Sequence, residues 1–129
     1  MRFNIIFAHV SCSDLSVSEA WYGKLFGQPP VGHSMPGSSE WHFNDGSKFQ
    51  LYKASEHAGH STLRIGVMAL EDERRRLAEA GLKPGLIQDV QNLQLIELHD
   101  PDHNLVMLTS ARPLGPKDAD PQYGDGTEA

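Results

Sequence analysis

Between Phe3 and Cys12 the chain is β-branched and aromatic with no helical spacing, which predicts a strand running up to Ser13-Asp14. Ser16-Val17-Ser18-Glu19 then has the spacing of a capping box, and Val17, Trp21 and Leu25 recur every four residues as the apolar stripe of a helix. Gly27 suits the left-handed turn that ends such a helix, and Gln28-Pro29-Pro30 prevents its continuation. Residues 31–39, rich in Gly, Pro and Ser, read as a loop. Glu40 to Phe43 and Lys48 to Tyr52 flank Asn44-Asp45-Gly46-Ser47 and predict a hairpin that turns at Asp45-Gly46. After a linker over 54–61 the plan repeats. A strand from Thr62 to Met68 precedes a helix from about Leu70 to Ala80, with Gly81 past its end and Lys83-Pro84 as the stop. Leu86 to Val90, Leu93 to His99 and Asn104 to Thr109 read as three further strands, and Glu71/Arg75 and Asp72/Arg76, four apart, mark an exposed helix face.

Alternation along a strand sorts its side chains between two faces. Ala8, Val10 and Cys12 form the apolar set of the first strand, leaving Phe7, His9 and Ser11 opposite; Leu63, Ile65 and Val67 leave Thr62, Arg64 and Gly66 opposite in its repeat partner. Pairing across Asp45-Gly46 sets Trp41 opposite Gln50 and Phe43 opposite Lys48, with Phe49 and Leu51 on the helix side. The last strand presents Leu105, Met107 and Thr109 to one side. The expected cavity is therefore walled by Phe7, Trp41, Phe43, Tyr52 and Met107, with His9, Ser11, Gln50 and Arg64 as polar contacts, a composition typical of ligand pockets.

The 129 residues suffice for one domain, and 39% hydrophobic with 22% charged residues is a globular balance. A net charge of -6 argues against nucleic acid and anionic membrane surfaces as partners, since the only basic run, Arg74-Arg75-Arg76, directly follows Glu71-Asp72-Glu73. Cys12 is the single cysteine, which excludes an internal disulfide and suits a reducing, cytoplasmic compartment. The apolar stretch from Met1 to Val10 is too short and interrupted for a signal-peptide core, and no run approaches a membrane span. Residues 112–129, rich in Pro, Gly and Asp, are expected to form a mobile C-terminal tail beyond a domain over 1–111.

Two stretches, Asp14-Leu15 through Trp21-Tyr22 to Leu25-Phe26-Gly27, and Asp100-Pro101-Asp102-His103-Asn104-Leu105-Val106-Met107-Leu108, resemble signatures of the vicinal oxygen chelate superfamily of glyoxalases, bleomycin-resistance proteins and extradiol dioxygenases. The resemblance covers about Phe3 to Thr109. It implies an α+β fold of two βαβββ modules, here about 3–53 and 61–110, whose curled mixed sheets form a cupped pocket. It also implies metal-ligand positions at Phe7, Gln50, Thr62 and Met107. Phe has no donor atom, Thr is a poor ligand and a thioether is soft, so no metal or other cofactor is expected. His103 stands at a turn position where the family has Gly.

The reading that follows is a metal-free protein that binds a planar or anionic small molecule between Trp41 and Phe43, its polar end toward Arg64 and His9. A homodimer is expected, because open sheet edges and a half-formed cup invite a twofold partner. The alternative is a lyase or dioxygenase-type enzyme of the same superfamily, with His9 as base or with a rearranged metal site. An interaction role with a vestigial pocket is the third.

Overall fold

A computed structural model describes residues 1–111, so the expected tail lies outside the described residues. The first module consists of β1 (Phe7–Cys12), α1 (Leu15–Phe26), β2 (Ser38–His42) and β3 (Lys48–Lys53). After a short 3₁₀ turn at Ser55–His57 the second contains β4 (Thr62–Gly66), α2 (Leu70–Glu79), β5 (Gln88–Val90), β6 (Leu93–His99) and β7 (Leu105–Ala111). The sheets are mixed, with orders β1-β3-β2 and β4-β7-β6-β5. The expected α+β class and repeated module are present. In the first module the outermost strand is reduced to one bridge, Gly32 to Glu40, just after Pro29-Pro30, where missing N–H groups prevent a ladder.

The two modules share one register. β1 runs parallel to β3 with His9 beside Gln50, and β4 runs parallel to β7 with Arg64 beside Met107, so His9 and Arg64 hold equivalent positions. Val10, Cys12, Phe49 and Leu51 are buried on the helix side of the first sheet, and Ile96, Leu98, Val106 and Leu108 on that of the second. Burial of these side chains under α1 and α2 supplies most of the drive to fold.

Three local expectations are corrected. The cap of α1 is Asp14, not Ser16: its carboxylate accepts from the Val17 amide at 3.2 Å and from the Ser16 hydroxyl at 3.0 Å. Ser18, Tyr22 and Leu25 face the sheet and Val17 is half exposed, so the apolar stripe is rotated from Val17-Trp21-Leu25. The first strand begins at Phe7, leaving Phe3 and Ile6 exposed. Gly27, at φ +72, ends α1 as expected, and its last carbonyls are capped from the other module: Arg76 on α2 donates to Lys24 O at 2.9 Å and Leu25 O at 2.6 Å.

Candidate functional site

Side chains at alternate positions of β1, β3 and β2 build the face of the first sheet turned away from α1. His9 lies beside Gln50, Ser11 beside Tyr52 and Phe7 beside Lys48 in the β1–β3 ladder, while Glu40 and His42 on β2 continue the same rows. The His9 and Tyr52 rings are 5.9 Å apart, and the Lys48 ammonium sits 5.6 Å from the centre of the Phe7 ring. On the second sheet, Arg64, Met107 and Glu97 stand side by side across β4, β7 and β6. Arg64 donates from Nε to Thr109 Oγ1 at 3.1 Å. This face is open: Phe7 is 46% exposed, His9 and Arg64 are exposed, and Gln50, Tyr52 and Met107 are half-buried.

Trp41 and Phe43 do not belong to it. Trp41 pairs with Phe49 rather than Gln50, is fully buried, and donates from its indole N–H to Gln28 O at 3.0 Å. The register differs by one because the connection is a three-residue loop. Phe43 N donates to Ser47 O, Gly46 N donates to Phe43 O, and Gly46 at φ +92 supplies the left-handed residue that closes such a loop. A one-residue slip sends every side chain of β2 to the other face. Phe43 accordingly packs on Phe26, ring centres 4.9 Å apart, on the helix side.

The same slip brings in two residues that the sequence reading missed. Glu40 and His42 share the open face, with His42 Nε2 2.5 Å from Glu40 Oε2 and the Ser34 hydroxyl donating to Glu40 Oε1 at 2.9 Å. His42 first, and Ser34 second, hold the Glu40 carboxyl below its ordinary pKa. Asp45-Gly46 was the signal available, and only loop length could have shown that it turns over three residues. The positions implied for metal ligands, Phe7, Gln50, Thr62 and Met107, offer an aryl ring, an amide, a hydroxyl and a thioether. That donor set does not fit a hard divalent ion. Among the described residues no group of three or more His, Cys, Asp or Glu side chains could hold a metal.

The modules are latched by the Asp100–Asn104 turn. Buried Asp100 accepts from the Tyr22 hydroxyl at 2.7 Å, Asn104 Nδ2 at 2.8 Å, and the Asp102 and Asn104 amides, both at 2.9 Å. Asp102 accepts from the Ser13 amide at 3.0 Å and from its hydroxyl. On the helix side of the seam between the sheets lies a cavity of about 520 Å³ lined from both modules, with Phe26, Phe43, Ile65, Val67, Arg64 and Arg76 among its walls. Of the expected pocket residues it gathers only Phe43 and Arg64; His9 is not among its walls.

No protein-family model and no curated protein matches the chain. Solved structures do. A glyoxalase/bleomycin resistance protein from Catenulispora acidiphila superposes with a TM-score of 0.76 at 23% identity, covering 83% of this chain and 97% of that one. A glyoxylase/bleomycin resistance protein/dioxygenase domain from Frankia sp. gives 0.66 at 16%, covering 87% and 100%. A glyoxalase/bleomycin resistance protein from Albidiferax ferrireducens gives 0.65 at 21%, covering 83% and 97%. At these identities the likeness concerns architecture, and the architecture of this chain is that of the glyoxalase/bleomycin resistance proteins.

Proposed function

We propose that the protein binds a planar, anionic small molecule on the open face of its two sheets, without a metal. The observation that carries this reading is the matched pair of rows in the two modules, His9 with Gln50 and Arg64 with Met107, exposed or half-buried on a face that also carries Phe7 and Tyr52. Aromatic surface that remains exposed beside a cation and imidazole is chemically suited to an aryl carboxylate or phenolate. With Trp41 in the core, the stacking surface passes to Tyr52 and Phe7. Because that face is unroofed, the proposal includes a homodimer, in which a second copy supplies the missing wall.

A thermal-shift screen of aryl carboxylates, phenolates and neutral analogues, with and without divalent metals, tests it. Acids should raise the melting temperature of the wild type, with Tyr52→Ala and His9→Ala weakening the response and added metal leaving it unchanged. A response that depends on metal, or that survives both substitutions, would overturn the proposal.

A second reading rests on the Glu40–His42 pair. A carboxylate hydrogen-bonded to an imidazole orients it for proton transfer, so an enzyme built on this face would use His42 as base rather than His9. Proton exchange at an acidic C–H of an added ketone, lost in His42→Ala and kept in His9→Ala, would favour it.

A further inference from the structure

We infer that the seam cavity is a second ligand site, for an amphipathic carboxylate whose apolar body enters between the modules and whose head meets Arg64. It shares Arg64 with the open-face proposal but uses none of His9, Gln50, Tyr52 or Phe7. Its volume of about 520 Å³ lies within the range of small-molecule pockets. Ala8, Phe26, Phe43, Leu63, Ile65 and Val67, all incompletely buried at the margin of the core, converge on this one cavity. Apolar surface concentrated in a concave site is driven to take up an apolar molecule.

The charge around it selects an anion. Arg76 is neutralised by Glu73 at 2.9 Å and spends its remaining donors on the end of α1, and Asp45 is held by Ser47. Arg64 has no carboxylate partner among the described residues, and its guanidinium bonds only Thr109, through Nε. The β4 backbone adds donors. Ser61 O accepts from Leu105 N and Val67 N donates to Thr109 O, so alternation along this parallel ladder turns the odd-numbered residues toward β7. The N–H groups of Arg64 and Gly66 therefore point away from β7 into the seam, where both residues line the cavity. Two strand-edge amides beside one guanidinium suit a carboxylate.

Decanoate, with decanol as its neutral counterpart, is the probe, titrated calorimetrically into the full chain. Decanoate should bind saturably at one equivalent per chain and at least tenfold more tightly than decanol. Val67 lies on the helix side of β4 and lines the cavity, so Val67→Trp fills it and should abolish binding of both probes. Should that variant fail to fold, Arg64→Gln carries the test: decanoate should weaken about tenfold and decanol by less than twofold. His9→Ala should leave decanoate within twofold of wild type, which separates this site from the open face. No saturable binding, equal loss of both probes in Arg64→Gln, or loss of decanoate in His9→Ala would each overturn the assignment.

Discussion

Trp41 shows how one residue changes role with the face it occupies. As a pocket wall its loss would weaken ligands; buried against Phe26 and Phe49 with its indole N–H satisfied, it is a core residue. Trp41→Ala should therefore cost about 3–5 kcal/mol of stability, measurable by urea unfolding. His103 carries the opposite sign. It sits at φ +70 in the Asp100–Asn104 turn, a region where a side chain costs roughly 1–2 kcal/mol and glycine nothing, so the sequence signal of a His in a glycine position is strain that the backbone shows. After the added flexibility of glycine in the unfolded chain, His103→Gly should gain about 0.5–1 kcal/mol and raise the melting temperature. Cys12, fully buried, has its thiol pushed up to about 11, chiefly by burial and then by Asp102, and should resist alkylation at pH 8 until the protein unfolds. Labelling of the native protein at the unfolded rate would contradict that burial.

At the scale of elements, patterns with a strong period were legible and those set by a single residue were not. Alternation sorted β1 and β4 correctly because the two faces of each strand differ in polarity, and Gly27 and Gly81 marked helix ends through their backbone freedom. The α1 stripe slipped because Val17 and Trp21 are as apolar as Tyr22, while Ser18 faces the core without an apolar signal. The β2 register slipped because loop length, not residue type, sets which residues pair. That explains why Phe7, His9, Ser11, Gln50, Tyr52, Arg64 and Met107 were assigned to the face they occupy, whereas Trp41 and Phe43 were not and Glu40 and His42 were overlooked. The three-residue loop also makes a prediction: Gly46→Ala, at φ +92, should destabilise the hairpin by about 1 kcal/mol, seen as a lower urea midpoint with an unchanged slope.

For the molecule as a whole, the latch and the two Glu–His contacts decide how the modules and the 31–37 segment respond to conditions. Glu19 is held below its ordinary pKa by Ser39 and then His33, and Glu40 by His42 and then Ser34. A carboxylate with a folded pKa below its unfolded value stabilises the fold above the ordinary value of 4.5 and loses that contribution as the pH falls through the folded one. Melting temperature should thus hold between about pH 5 and 7 and drop below about 4.5, with a shallower drop in Ser39→Ala. Light scattering should give the mass of a dimer; a monomer at micromolar concentration would leave the open face without its second wall. The central claim, that this face holds an anionic aromatic ligand, is tested most directly by mapping backbone amide shifts in the ¹H–¹⁵N spectrum during titration with the best aryl carboxylate from the screen. Saturable shifts should cluster at His9, Gln50, Tyr52, Arg64 and Met107. Shifts confined to other surfaces, with those five unmoved at saturation, would contradict it.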